Sequence, residues 1–322
     1  MTIKTPLCDL LGIDVPVGNA GMAGGYARAP LAAAVAEAGG LGGLGGIYAE
    51  GPERLRAEIR ETRERTRKPF SVNLWLFLLD AAPQFLDACI EEGVPSVTFS
   101  FGSPGAHVGR ARAAGMRVLF QTQTVARARE AVAAGVDCII AQGGEAGGHT
   151  GSVATMALVP QVVDVAGAIP VIAAGGIGDG RGLVAALALG AQGAIMGTRF
   201  VASDEATSPV AGHREKIIAA TADDTIFTDV FDIVDGMTWP AGISGRSIAT
   251  PFAREWHGRE DELREKRAQI LAESPQPGSP PERAYSAYAG QSAGLVRDVR
   301  PAGEIVREIM REAEAVLAKL GR

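Results

Sequence analysis

Residues 141–151 read Ala-Gln-Gly-Gly-Glu-Ala-Gly-Gly-His-Thr-Gly and set one histidine, His149, among five glycines directly after a largely apolar run. Glycine has no Cβ, tolerates positive φ and leaves its N–H exposed, so such a segment can lie against a flat or anionic group. It would present to that group one titratable side chain, an imidazole able to act as a base or as a charged hydrogen-bond donor. Glu145 in the same stretch either adds a second acid/base group or braces the loop. A lone histidine in a loop is ordinarily just solvated. Here the order strand, loop, helix recurs along the chain and makes this loop one of a set.

The other members of the set carry glycine or polar residues at the same place, directly after an apolar run. Gly21 and Met22 follow the first run, Asn73 ends the third, Gln121 and Gln123 close the fifth, and Gln142 opens the histidine loop. Gly175, Gly176 and Asp179 follow the seventh run, and Gly197, Thr198 and Arg199 follow the eighth. In a closed α/β barrel a phosphate is often held by the loops after strands seven and eight, on exposed N–H groups aided by a helix N-terminus. Either glycine set alone would be an ordinary turn; both in these slots point to an anion site.

Eight strands are needed to hold these positions, and the apolar runs 15–19, 41–44, 70–74, 96–100, 117–121, 137–141, 170–174 and 194–196 supply them. Between them lie segments of helical period at 30–38, 52–65, 81–92, 106–114, 125–134, 156–166 and 180–189, most followed by Gly at the expected C-cap. Eight βα units predict an α/β fold, a (β/α)8 TIM barrel over residues 1–204, rather than an open doubly wound sheet. Residues 205–290 depart from the pattern, with a helix over 205–222, an irregular stretch at 239–252, a charge-rich helix at 253–273 and four prolines within 274–282. They read as an inserted, mostly helical domain near the C-terminus. Residues 291–322 then form a segment and a helix at 303–320, whose Ile305, Ile309, Val316 and Leu320 make an apolar stripe that packs back on the barrel.

Composition bounds the function. With 47% hydrophobic and 21% charged residues the chain suits a soluble globular protein with a sizeable core. Its 42 glycines are roughly twice the ~7% average share and imply many tight turns or close backbone approaches. A net charge of −6 and no Lys/Arg block interleaved with aromatics argue against a nucleic-acid partner. Cys8, Cys89 and Cys138 form no C-x-x-C, and His107, His213 and His257 have no metal-ligand spacing, so neither a disulfide framework nor a metal site is expected. The uncharged stretch 182–198 carries Gly190, Gly193 and Gly197 and is short for a bilayer span, and the N-terminal residues lack a signal-peptide pattern. A cytoplasmic protein without a membrane partner is the expectation, and apolar faces of the added region could serve a homodimer.

Two motifs are discounted. Gly-Leu-Gly-Gly-Leu-Gly at 40–45 matches the dinucleotide fingerprint G-x-G-x-x-G, yet it follows a helix and itself contains the second strand, where the fingerprint needs a strand before it and a helix after it. Ser100 and Ser103 stand in no nucleophile-elbow context.

Four segments, taken in order, resemble the FMN-dependent nitronate monooxygenases, formerly called 2-nitropropane dioxygenases. They are 141–151, Pro-Val-Ile-Ala-Ala-Gly-Gly-Ile-Gly-Asp-Gly-Arg-Gly at 170–182, Met-Gly-Thr-Arg-Phe at 196–200 and Gly-Gln-Ser-Ala-Gly at 290–294. The resemblance runs over nearly the whole chain and implies a (β/α)8 barrel with a helical substrate domain and a non-covalent FMN. It puts the FMN phosphate on the backbone of Gly175, Gly176, Gly197 and Thr198, and the ring beside Gly21, Met22, Asn73, Gln121, Gln142 and Gly147. His149 matches the family's active-site histidine, which would bind the nitro or nitronate oxygens and, in members that accept neutral nitroalkanes, remove the α proton. The implied reaction is oxidation of a nitronate by O2 through the flavin, releasing a carbonyl compound and nitrite. One departure is Ala-Gly-Met at 20–22, where many members carry Ala-Pro-Met and where glycine would loosen the turn under the flavin.

Related FMN-dependent enoyl-acyl-carrier-protein reductases and certain NADH:quinone reductases share the Glu-Ala-Gly-Gly-His loop and the Gly-Gln-x-Ala-Gly-Leu-Val ending seen at 290–296. An NAD(P)H-dependent FMN reductase of that kind is therefore the alternative. Gln-Thr-Gln at 121–123 and Ala-Gln-Gly at 141–143 look more like the monooxygenase members. Phe101, Trp75, Trp239 and the tyrosines at 285–288 are candidates either for the pocket wall or for packing. A flavin-binding scaffold without turnover is a third reading, and it gives His149 no use.

Overall fold

The computed structural model describes residues 3–276 and 279–321. Pro277 and Gly278, within the proline-rich stretch read at 274–282, lie outside the described residues. The strands in chain order are β1 (Val17–Asn19), β2 (Gly42–Gly45), β3 (Phe70–Trp75), β4 (Ser96–Ser100), β5 (Arg117–Thr122), β6 (Cys138–Gln142), β7 (Gly148–Thr150), β8 (Val171–Ala174), β9 (Gly193–Met196), β10 (Thr225–Thr228) and β11 (Ser244–Ile248). Eight of them pair in parallel in the order β1-β9-β8-β6-β5-β4-β3-β2, the same eight runs that the sequence offers.

The two ends of this sheet meet at β1 and β2, where a parallel bridge joins Gly18 to Leu41 and closes the barrel. The seam has few ladder bonds, so a side chain completes it: the Asn19 amide accepts from Gly43 N at 2.8 Å and donates to Gly43 O at 2.7 Å. Both groups are buried. Asn19→Ala would leave a backbone donor and acceptor unpaired and is expected to destabilise the fold by about 2–4 kcal/mol, read from the urea midpoint; a loss within experimental error contradicts this account of the seam. The glycines of the discounted fingerprint sit where β2 is pressed against β1 on one side and against the helix Ala29–Glu37 on the other. A Cβ on Gly42 would overlap Ala32 O, and one on Gly43 would overlap Asn19 O, so the run is glycine because backbones touch there.

Side chains alternate across each strand, and that alternation decides what fills the barrel. Val118 and Phe120 of β5 face the surrounding helices, whereas Leu119 joins Ile140, Ile172 and Ile195 inside. The bottom is filled by Leu7, Leu11 and Ile13, from a helix at Pro6–Leu11 and the turn after it. Two residues on from these inward positions come Gln121, Gln142 and Ala174, at the C-terminal ends of the strands. A helical plug below and polar side chains above leave the open end of the barrel as the place for a site.

Helices at Ala29–Glu37, Pro52–Arg65, Gln84–Glu91, Gly105–Ala113, Val125–Ala134, Thr155–Ala166 and Gly180–Ala188 cover the outside. The helix read at 81–92 is Gln84–Glu91, starting after Pro83, and a short helix Leu76–Leu79 that the sequence reading did not include precedes it. The closing helix Ala302–Leu320 buries Ile305, Ile309 and Ala313 against the Gly180–Ala188 helix, and its Glu312 caps Gly180 N at 2.9 Å. The apolar stripe ends at Val316; Leu320 is 73% exposed.

The added region differs most from its reading. The helix expected over 205–222 is only His213–Ala219, and the one expected over 253–273 is two, Pro251–Trp256 and Glu260–Leu271, separated at Gly258 with φ +80°. The stretch read as irregular holds β11, which pairs antiparallel with β10 on one side and with β7 on the other. The added region is therefore built on a hairpin that recruits part of the histidine loop, with a further helix at Val230–Asp235.

Candidate active site

One cavity of about 310 Å³ opens at the C-terminal ends of the barrel strands, within the ~300–1,000 Å³ range of small-ligand sites. Gly21, Met22, Asn73, Gln121, Gln142, Gly147, His149, Gly175, Gly176, Gly197 and Thr198 all line it, so the structure brings these residues to one place, whereas Gln123, Asp179 and Arg199 of the same strand-end set do not line it.

At one part of the wall the amides of Gly175, Gly176, Gly197 and Thr198 have no protein acceptor among the described residues. Gly175 and Gly176 are consecutive at φ +97° and +72°, a left-handed pair that suits only glycine and turns successive N–H groups to one side. A Cβ on Gly175 would lie 2.7 Å from Gly143 O. Thr198 is fixed because its hydroxyl oxygen accepts from Gly290 N at 2.9 Å, and Ser292 lines the wall nearby. Four unengaged amides and two hydroxyls, with no Lys or Arg among the lining residues, form a cradle that suits a phosphate held by backbone.

The motif segments touch one another here. A Cβ on Gly147 would lie 2.5 Å from Gly290 N, and Gln291 N donates to Glu145 O at 2.9 Å. Glu145 turns out to be a brace: its carboxylate accepts from Thr155 N and from the Thr155 hydroxyl, both at 2.8 Å. At the start of the chain the turn at 20–22 is closed rather than loose. Met22 N donates to Ala20 O at 2.9 Å, Asn73 Nδ2 donates to Gly21 O at 2.8 Å, and a Cβ on Gly21 would lie 2.6 Å from Asn73 Cβ. Ser100 donates to Asn73 Oδ1 at 2.9 Å and locks that amide. Gln142 Oε1 accepts from Gln121 at 3.1 Å and from Gln123 at 2.7 Å, which leaves its own NH2 to donate to another group. Flat backbone and fixed amides suit a planar, hydrogen-bonding ring.

His149 sits on β7, opposite Gly245 of β11, so a strand holds it rather than a free loop. Its Nε2–H donates to Asp232 Oδ1 at 2.8 Å, with both side chains 9% exposed. That bond leaves Nδ1 as the nitrogen of the neutral ring able to take a proton. Trp239 stacks on the imidazole with centroids 3.5 Å apart and planes 14° apart. Trp75 and Phe101 pack against Trp239 at 4.9 and 5.0 Å, so three of the aromatic candidates form one wall. Phe101 holds φ +57°, and a bulky residue in that region marks backbone strain at a site. Tyr288 lines the cavity and Tyr285 does not. The Tyr288 carbonyl is held by buried His213 at 2.9 Å, and burial pushes the His213 imidazole down to about 4, so it stays neutral as a donor.

Sequence reading missed Asp232 and Asp235, which lie one helical turn apart and both line the cavity. Burial pushes the Asp235 carboxyl up to about 6, Asp232 beside it pushes the same way, and Arg267 and His149 offset part of this. Asp235 lines the cavity but is also exposed to solvent, which moderates that shift. A carboxyl whose pKa rises on folding weakens the fold as pH climbs from 3.8 through about 6, and by a constant amount above that. Asp235→Asn is expected to raise Tm at pH 8 by more than at pH 4.5; equal gains at both pH values would contradict the assignment.

Comparison with known proteins gives the context. Residues 4–312 match the family model described as nitronate monooxygenase. A curated nitronate monooxygenase from Paraburkholderia phytofirmans is 36% identical over 99% of this chain and 98% of its own length. The (3aS,4S,5R,7aS)-5-hydroxy-7a-methyl-1-oxo-octahydro-1H-indene-4-carboxyl-CoA dehydrogenase of Mycobacterium tuberculosis is 44% identical over 74% of this chain, a match that spans 65% of that relative. Among solved structures, FabK from Thermotoga maritima superposes with a TM-score of 0.86 at 40% identity over 99% of both chains. A nitroalkane oxidase from Streptomyces ansochromogenes superposes at 0.78 and 30% identity over 97% of this chain and 99% of its own. With a barrel, an amide cradle and a histidine on the sixth connection already in view, these matches show that the chain belongs to the nitronate monooxygenase family.

Proposed function

We propose that the protein is an FMN-dependent oxidoreductase that oxidises a nitroalkane or alkyl nitronate with O2, releasing a carbonyl compound and nitrite. The observation that carries this reading is the His149–Asp232 pair in the wall of a cavity that also holds the amide cradle. Gly175, Gly176, Gly197 and Thr198 would hold the phosphate, and Gly21, Met22, Asn73, Gln121, Gln142 and Gly147 would flank the ring. When bound, the flavin supplies the one-electron and O2 chemistry. The protein's part is proton transfer and orientation. His149 takes the proton from the carbon that bears the nitro group, and Asp232 fixes the ring and stabilises the imidazolium that results. The balance is two nitronates and one O2 giving two carbonyl compounds and two nitrite ions.

A second reading is favoured by the aromatic wall of Trp75, Phe101 and Trp239, which suits a larger apolar substrate. In that case the substrate is an acyl thioester, as the name of the Mycobacterium tuberculosis relative suggests, and NAD(P)H exchanges electrons with the flavin. Flavin-loaded protein mixed under air with a neutral nitroalkane, and separately with its nitronate, tests both. The first reading expects oxygen consumption with one nitrite per carbonyl. No turnover, alongside rapid anaerobic bleaching of the flavin by NADH or NADPH, would transfer the assignment to the second.

A further inference from the structure

One hydrogen bond does not orient an imidazole. The torsion that turns the ring about Cβ–Cγ has broad minima, and Nε2 lies close to that axis, so the bond to Asp232 at 2.8 Å holds the tip of His149 while resisting its rotation only weakly. Nδ1 lies farther off the axis and swings with the ring. What fixes the plane is Trp239, whose indole lies nearly parallel to the imidazole, with centroids 3.5 Å apart and planes 14° apart. Gly245 stands opposite His149 on β11, where a Cβ would lie 3.6 Å from Nε2, so no side chain of that strand competes for the space. Trp239 is itself placed by its side chain rather than by its backbone. Among the described residues of the segment 237–243, only Met237 and Ile243 donate a backbone N–H, and the buried indole Nε1 has no acceptor. The indole is held instead by Trp75, Phe77 and Phe101, with centroids 4.9, 5.2 and 5.0 Å away, from the ends of β3 and β4 and the turns that follow them.

We propose that Trp239 is the positioning residue of the base: the barrel aromatics press its indole against one face of His149, and the indole holds Nδ1 in the direction from which it takes the substrate proton. This rests on the proposed function for its reaction and deepens it. Asp232 selects the nitrogen that is free, and Trp239 decides where that nitrogen points. With one face covered, a substrate reaches His149 at the edge of the ring. The same contact favours the outcome of the transfer, because the π face of an indole attracts a cation and the imidazole becomes one as the proton arrives. Both effects belong to proton abstraction. A nitronate is already deprotonated and needs neither, so Trp239 matters more for neutral nitroalkanes than for their anions.

The test compares flavin-loaded wild-type protein with Trp239→Leu and Trp239→Phe, measuring kcat for a neutral nitroalkane and for its nitronate, each relative to bound flavin. In Trp239→Leu the ratio of nitroalkane to nitronate kcat should fall by about tenfold or more, the scale on which a misplaced proton-transfer group loses rate. Trp239→Phe keeps a ring face and should hold that ratio within about threefold of wild type. A merely structural role would lower both rates together. A ratio unmoved in Trp239→Leu, or one that falls as far in Trp239→Phe, overturns the proposal. The stack is read without turnover from the proton signals of isotope-labelled histidine in the same proteins, with His149→Asn to assign them. The His149 ring signals should lie upfield in wild type and return toward ordinary positions in Trp239→Leu; no upfield displacement in wild type also overturns the proposal. The two ideas therefore fail separately. A protein that shows the displacement and its loss but oxidises neither nitro compound loses the proposed reaction and keeps Trp239 as the residue that orients His149.

Discussion

His149→Asn is expected to lower kcat for nitroalkane oxidation by about 10²–10⁴-fold while the purified protein keeps its flavin. Asparagine can still donate to Asp232, and the pairing of β7 with β11 runs through backbone, so the wall should stand without the imidazole. What is lost is a group that takes a proton in the working pH range. Steady-state rates with a neutral nitroalkane, together with the flavin-to-protein ratio, read the two effects apart. Asp232→Asn should give a smaller loss, since it removes the charge that orients the ring but not the ring itself. Unchanged turnover in His149→Asn would remove the histidine from the chemistry.

The second large effect concerns the cradle. Gly175→Ala adds a Cβ to a residue at φ +97°, where it would lie 2.7 Å from Gly143 O and 3.1 Å from Ala146 N. Backbone must move, and the amides of Gly175 and Gly176 move with it. Flavin affinity should fall by about 100-fold or more, equivalent to losing two charge-assisted hydrogen bonds. Gly167→Ala is the control, because Gly167 also has positive φ, at +59°, but a Cβ there meets nothing within 4 Å. With ψ −109° it lies outside the left-handed helical region, so the change should cost about 1–3 kcal/mol of stability and leave flavin binding alone. Equal flavin loss in both variants would mean that general strain, rather than the cradle, governs binding.

Much of this arrangement was legible from the chain because barrel strands announce themselves locally. Each is a short apolar run followed by glycine or a polar residue, and the parallel order then follows from short connections. The glycines at 175–176 and at 197 could be read for the same reason: a left-handed turn or a bare amide leaves a mark in one residue. Asp232 and Asp235 left none. They reach His149 because β11 pairs with β7 across roughly a hundred residues, and neither Ser-Gly-Arg-Ser-Ile nor Gly-His-Thr alternates strongly enough to announce a strand. The partner β10, Thr-Ile-Phe-Thr, did carry a β-branched and aromatic signal that a stricter reading of the added region could have used. Asn19 is a different case. Its role depends on a barrel seam that exists only once the sheet has closed.

Helix boundaries failed where charge and alanine content outweighed punctuation. Gly212 and Gly258 both adopt positive φ and interrupt segments that read as continuous helices. Glu145 shows the opposite lesson, since a carboxylate beside a catalytic candidate proved to be committed entirely to Thr155.

Equilibrium binding of FMN and of riboflavin to flavin-free protein bears most directly on the whole account, because the two ligands share a ring and differ by the phosphate. One FMN per chain should bind at least about a hundredfold more tightly than riboflavin, the difference lying in the amides of Gly175, Gly176, Gly197 and Thr198. Equal affinities, or no binding of FMN in excess, would contradict it.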